Sequence, residues 1–156
     1  MVVALGMLMV AHSVLLQISI VRGRSMQPVL RDGDRLVVDR LGAEALGVGR
    51  FDVVVLQSPT EEGVDYVKRV VGLPGDEVMI RHGRVFVNGS MVEEHHGLIR
   101  DGTHAGPLIV PERHCFVLGD NRPQSCDSRE FGVVPLATIR GTVRARVWPL
   151  DRVSLF

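Results

Sequence analysis

Asp65-Tyr-Val-Lys-Arg-Val-Val-Gly72 carries the one lysine of the chain, and its pattern is that of a strand. At a period of two, Tyr66, Lys68 and Val70 share one face, while Val67, Arg69 and Val71 share the other. Lys68 then points between a tyrosine and a valine. The run stops at Gly72-Leu-Pro-Gly-Asp76, whose glycines and proline demand a tight turn. Of the 18 basic residues, 17 are arginine. Arginine keeps its proton in a protein, whereas a lysine in apolar surroundings can be neutral near physiological pH. An ion pair on a sheet surface is the ordinary fate of an isolated lysine. A desolvated general base is the alternative, and it requires a nucleophile elsewhere in the chain.

Outward from this strand the same short-strand grammar repeats. Phe51-Asp-Val-Val-Val-Leu56 is a near-continuous apolar run, as expected of a strand buried on both faces. Arg35 to Asp39 reads as a strand after the turn Arg31-Asp-Gly-Asp34, and Leu41 to Arg50 as a loop or one helical turn. Glu77 to Arg81 and Arg84 to Asn88 flank His82-Gly83, a two-residue hairpin link. Asn88-Gly-Ser90 is formally a glycosylation acceptor, but Asn-Gly is the stronger signal and reads as the next turn. Cys115 to Leu118, Phe131 to Pro135 and Ile139 to Trp148 supply the remaining strands. The segment Glu93 to Arg113 is polar and rich in Gly and His, and reads as a solvated loop. Its histidines His95, His96 and His104, with His114 just beyond, match no zinc spacing. The chain is therefore all-β.

At 156 residues there is room for one medium domain and a small subdomain. Formal charge is zero and no basic run occurs, so the sequence implies no nucleic-acid partner. Cys115 and Cys126 are too few for a disulfide scaffold and leave open one bridge or two thiols. Residues 1–21 contain no Asp, Glu, Lys or Arg. As a helix they span roughly 30 Å, about a bilayer's hydrocarbon core, so a membrane anchor is expected there. Val and Ile near its end also suit the opening of a strand. The segment lacks the basic start and small-x-small exit of a cleaved leader. Arg22, Arg24, Arg31 and Arg35 follow it, and the positive-inside rule alone would keep the body of the chain cytoplasmic.

Ser25, between Gly23 and Pro28, is the candidate nucleophile, because the bent backbone presents its side chain instead of pairing it into a ladder. No Gly-x-Ser-x-Gly elbow or His/Asp pair offers a conventional triad. Cys126 is flanked by Asp127, which disfavours a thiolate. An active serine thus depends on Ser25 meeting Lys68.

Four ordered segments carry a family resemblance: Ser25-Met-Gln-Pro28, Gly33-Asp34, Tyr66 to Asp76, and Gly119-Asp-Asn-Arg-Pro-Gln-Ser-Cys-Asp-Ser-Arg129 with Gly132. From about Val21 to Trp148 the chain resembles bacterial type I signal peptidases, membrane-anchored proteases with a Ser/Lys dyad. The resemblance implies antiparallel β-sheets of the signal-peptidase type, a second subdomain reduced to about residues 77–114, and a preceding transmembrane helix over 1–21. Residues 22–156 become an extracytoplasmic catalytic domain on a single-pass membrane protein. Ser25 becomes nucleophile and Lys68 general base, with Ser125 orienting the lysine through a hydrogen bond. Asp127, Asp120, Arg129 and Arg69 become structural support, read as an ion-pair cluster under the dyad. Some relatives carry a serine two residues before the nucleophile. Gly23 stands there, so the oxyanion contact falls to the backbone N–H of Ser25.

The implied substrates are secreted preproteins, cut after a small-x-small site. Met26, Val29, Tyr66 and Val70 are the expected pocket walls, and the substrate adds as a strand. Membrane lipid is an expected partner and no cofactor is implied. The rival readings are a dedicated Ser/Lys maturation protease, a self-cleaving repressor-type protein, and a membrane-tethered β-domain that binds peptides without cutting them.

Overall fold

The structure is a computed structural model that describes residues 16–41 and 47–156. In chain order its strands are β1 (Leu16–Ile20), β2 (Arg35–Asp39), β3 (Val53–Gln57), β4 (Asp65–Gly72), β5 (Glu77–Arg81) and β6 (Arg84–Val87). They continue as β7 (Ser90–Met91), β8 (Ala105–Ile109), β9 (His114–Leu118), β10 (Val134–Pro135), β11 (Ile139–Trp148) and β12 (Ser154–Leu155). One helical turn, α1 (Ser128–Phe131), lies between β9 and β10. Eight strands form one sheet in the order β1-β2-β11-β3-β4-β9-β10, with β12 beside β11, and the other four form a second sheet, β7-β6-β5-β8. Each pair of neighbouring strands is antiparallel. The chain is thus mostly antiparallel β.

The pattern of each run accounts for its place. Val53, Val54, Val55 and Leu56 are all buried, because β3 lies inside the large sheet with cores on both faces. Val53 and Val55 pack with Met26, Leu30, Leu36, Val38 and Val143. Val54 and Leu56 pack on the opposite face with Val70, Cys115, Val117 and Val134. A third cluster, in which Val71, Phe116 and Leu118 meet Val78, Ile80, Val85 and Val87, joins the two sheets. Fully burying one such side chain contributes about 1.5–3 kcal/mol, so the sheets are fixed against each other well before any polar contact is counted. The hairpin between β5 and β6 turns on His82 (φ 49°) and Gly83 (φ 69°), both left-handed, as a two-residue turn with the strands' own twist requires. Asn88 (φ 52°) and Gly89 (φ 78°) repeat the device before β7.

Three expectations need correction. Of the anchor expected over residues 1–21, residues 1–15 lie outside the described part, but Leu16–Ile20 are strand β1, not helix. Gln17 and Ser19 alternate with the apolar residues, and β2 satisfies the backbone in the register Leu16↔Asp39 to Ile20↔Arg35. Among the described residues no helix is long and apolar enough to cross a membrane. The polar stretch Glu93 to Arg113 contains β8, hidden in the sequence by Gly106-Pro107, which break the alternation. Finally, Phe131 to Pro135 is strand only at Val134–Pro135, because Asp127 caps α1 just before it.

Candidate active site

Lys68 lies in the middle of β4, opposite Val54 on β3. It is 3% exposed, and burial lowers its pKa from the ordinary lysine value. The charges of Asp127, Cys126 and Asp120 pull the other way without overcoming that burial. Its Nζ stands 5.1 Å from the centre of the Tyr66 ring. Among the described residues the Lys68 amine makes no hydrogen bond or ion pair. It is a desolvated amine with no counter-ion in contact.

On the other side of β4, β9 pairs in the register Arg69↔Leu118. Carried one residue further, that register sets Gly119 across from Lys68. Residues directly opposite in an antiparallel pair point to the same face. The space where Gly119 would carry a Cβ is already filled, by Ser125 Oγ at 2.2 Å and the carbonyl oxygen of Ser25 at 2.5 Å. The backbone of Ser25 and the hydroxyl of Ser125 therefore converge on the face that carries Lys68. Asn121 fixes the first of these: its backbone N–H donates to Ser25 O (2.9 Å) and its Nδ2 to Arg24 O (3.1 Å). The turn that holds Ser25 is anchored underneath by Met26 and Leu30 in the core.

The loop Gly119–Arg129 holds its shape through its own polar groups. Asp127, fully buried, accepts from Gly119 N (3.0 Å), Arg129 N (3.2 Å) and Arg129 Nε (2.8 Å), closing the two ends of the loop on one carboxylate. Arg129 Nη2 donates back to Arg122 O (2.6 Å). Arg69 pairs with Asp120 through two bonds of 2.9 and 2.7 Å. Burial raises the Asp120 carboxyl above its ordinary value, and Arg69, Arg122 and Lys68 oppose that shift.

Some predicted contacts are not made. Ser125 Oγ is buried with no hydrogen-bond partner, and none joins Ser25, Ser125 and Lys68 side chains to one another. Loose catalytic contacts that tighten around substrate are common in unliganded sites. Met26 (2% exposed) and Val70 (0% exposed) drop out of the pocket wall, because each faces a core cluster. Val29 is half-buried and lines a groove of about 560 Å³ with Pro28, His96 and Gly97. Tyr66 is also half-buried, its hydroxyl donating to Glu61 Oε1 at 2.5 Å. Both cysteines are free thiols, and burial, then Glu130, raises the Cys126 pKa, which disqualifies it as a nucleophile at neutral pH.

Sequence reasoning missed the segment 94–101. Glu94, from the stretch expected to be solvated, has a side chain only 1% exposed and pairs with Arg122. Ile99 N donates to Asp120 O (2.8 Å), and Arg122 N donates to Ile99 O (2.9 Å). Asp101 pairs with Arg129 at 2.7 Å. His96 lies between Asp120 and Glu94, and burial with the nearby Arg69 and Arg122 lowers its pKa to about 3. Nothing local in Glu93-Glu-His-His96 marks Glu94 as buried. Its partner lies 28 residues away.

Comparison with known proteins gives one consistent set of relatives. Residues 1–148 match the family model described as signal peptidase, peptidase S26. A signal peptidase I of Bacillus caldolyticus is 39% identical over 149 residues, covering 86% of this chain and 81% of that protein. A signal peptidase IB of Staphylococcus aureus is 35% identical, covering 84% and 77%. A probable signal peptidase I-2 of Synechocystis is 37% identical over 84% of this chain, and the chain spans only 62% of that longer protein. Among solved structures, a signal peptidase I of Enterococcus faecalis superposes with a TM-score of 0.52 at 33% identity. That match covers 61% of this chain and 95% of the other.

Proposed function

The chain belongs to the signal peptidase family of serine peptidases, peptidase S26, and we propose that it removes N-terminal signal peptides from secreted preproteins with Ser25 as nucleophile and Lys68 as general base. The observation that carries this reading is the state of Lys68, the chain's one lysine. It is buried, depressed in pKa and without a counter-ion, on the strand beside the loop that grips the Ser25 backbone.

In the proposed reaction Ser25 Oγ attacks the scissile carbonyl and its proton passes to Lys68 Nζ. The Ser25 N–H, which has no acceptor among the described residues, donates to the developing oxyanion. Lys68 then returns the proton to the leaving amine; Lys68 Nζ next takes a proton from water, which attacks the acyl-serine, and passes it to the departing Ser25 Oγ. Ser125, within the same face, orients the amine without adding a charge. Arg69 with Asp120 and Arg129 with Asp127 hold the loop as ion pairs and take no proton. A substrate strand with small side chains lies against Tyr66 on the Lys68 face of the sheet, whereas Val29 packs on the opposite face with Val53 and Val55. The charge-free residues ahead of β1 attach the enzyme to the membrane, β1 and the residues after it form the extracytoplasmic body, and 77–114 are the family's second subdomain in reduced form.

The test is cleavage of a preprotein in detergent by the wild type, Ser25→Ala and Lys68→Arg. Both variants are expected to be inactive, the second because arginine keeps charge and cannot accept a proton. An active Lys68→Arg protein would remove the general-base role. A wild type that binds the preprotein and leaves it intact would favour a peptide-binding domain instead.

A further inference from the structure

We propose that Glu94 is a positioning residue for the site, holding the Gly119–Arg129 loop against Ser25 through Arg122; the inference rests on the Ser25/Lys68 reading above. Arg122 is a guanidinium with a side chain 2% exposed, and Glu94 is its sole carboxylate partner among the described residues. Its Nη2 donates to Glu94 Oε1, and its Nε donates to the carbonyl of Gly119 at 3.0 Å. Gly119 is the residue wedged between the Ser125 hydroxyl and the Ser25 carbonyl. Three links therefore run from Glu94 to the nucleophile's own peptide group.

The geometry is more than a surface ion pair. A buried guanidinium must be both neutralised and fully hydrogen-bonded, or it moves towards water. Arg122 meets the charge requirement through Glu94, donating to it from Nη2 while Nε donates to the Gly119 carbonyl. The segment carrying Glu94 is bound to the same loop at two further points, Ile99 on Asp120 and Arg122, and Asp101 on Arg129. It lies as a strap along the outside of the loop. The other Glu94 oxygen has no hydrogen-bond partner and stands 3.8 Å from Arg100 Nη2. The bond to Arg122 is the one hydrogen bond of this carboxylate among the described residues, with Arg100 and His96 at the looser distance of 3.8 Å.

The test compares wild type, Glu94→Gln, Glu94→Ala and Glu93→Ala on one preprotein, with kcat and KM measured separately and a thermal melt for each. Glu93 is the control, since its side chain is 75% exposed and pairs only with His95. Glu94→Ala is expected to lose kcat on the order of 100-fold, the cost of misplacing reacting groups by about 1 Å. KM should stay within about twofold, because the loss is in the reacting geometry and not in substrate binding. Glu94→Gln keeps an acceptor for Arg122 without the charge and should limit the loss to about tenfold. A folded Glu94→Ala protein with wild-type kcat, or one whose KM alone changes, overturns the proposal. If Glu94→Ala does not fold, Glu94→Gln decides: wild-type kcat overturns it, and a lowered kcat at constant KM supports it. Cleavage failing in the wild type itself would instead sink the peptidase reading, and this inference with it.

Discussion

Gly119→Ala is the sharpest test of how the site is assembled. The added methyl would meet Ser125 Oγ at 2.2 Å, Ser125 Cβ at 2.5 Å and Ser25 O at 2.5 Å, where ordinary contact begins near 3.4 Å. Ser25's carbonyl must therefore retreat by about 0.9 Å and the Ser125 hydroxyl by about 1.2 Å, the differences from that contact distance. The hydroxyl can rotate, but the carbonyl is backbone and cannot. Gly119 does not adopt a left-handed conformation, so alanine meets no strain from φ and the effect is contact alone. Overpacking of this kind costs about 1–3 kcal/mol, which lowers the melting temperature of a chain this size by roughly 2–12 °C. A shift of nearly 1 Å in the peptide group of Ser25, the proposed nucleophile, should lower kcat by about 100-fold. Adding Ser125→Gly removes two of the three collisions and should return part of the stability without returning activity. Gly102→Ala is the control, with nothing within 4 Å of its added methyl. Preprotein cleavage at saturating substrate and a thermal melt read both quantities. A Gly119→Ala protein with wild-type kcat and melting temperature would refute the convergence of Ser25 and Ser125 on this glycine.

Lys68→Met is expected to abolish cleavage and raise the melting temperature at neutral pH. The folded state binds the Lys68 proton less tightly than the unfolded chain, so Lys68 costs stability progressively as pH falls from 10.5 towards its lowered folded pKa. The gain in melting temperature should therefore shrink as pH rises towards 10.5, and a gain independent of pH would contradict the burial argument. For the same reason wild-type activity should rise with pH along a limb lying below the ordinary lysine value, traced by a pH–rate profile. His96, lowered to about 3, should show no ring titration by NMR between about pH 5 and 8, where an ordinary histidine titrates. Its contribution to stability is lost as pH falls from 6.5 towards about 3, the window between its unfolded and folded values.

What could be read from the sequence followed the reach of each signal. Strands β2, β4, β5 and β6 show their period in their own residues and β3 its unbroken apolar run, and the His82-Gly83 and Asn88-Gly89 turns announce themselves by residues that tolerate positive φ. The face Lys68 shares with Tyr66 and Val70 was legible, but its burial was one of two readings the strand alone left open, since the same pattern suits an ion pair on a sheet surface. Leu16–Ile20 was not legible, since a charge-free apolar run suits a bilayer as well as an edge strand, and pairing with β2 settles the matter only in three dimensions. Met26 and Val70 looked like pocket walls because apolar residues next to a nucleophile or base can face either cleft or core. Glu94 was invisible for the opposite reason: a glutamate among glutamates and histidines reads as solvated unless its distant arginine is known.

The arrangement of charge around Lys68 explains how so polar a loop can surround an amine that the proposed mechanism requires to be neutral. Carboxylates near a lysine favour its protonated form, and both Asp127 and Asp120 lie within electrostatic reach. Each is occupied by an arginine in direct contact, Asp127 by Arg129 at 2.8 Å and Asp120 by Arg69 at 2.7 Å, whereas neither comes within 4.0 Å of the lysine amine. The guanidiniums cannot release their protons, so they neutralise the acids at any pH the enzyme meets. Burial is then left to set the lysine's ionisation, with Arg129 adding a further push towards the neutral form. Under the proposed mechanism arginine and lysine are thus not interchangeable in this cluster: one kind of base keeps its charge so that the other can lose it.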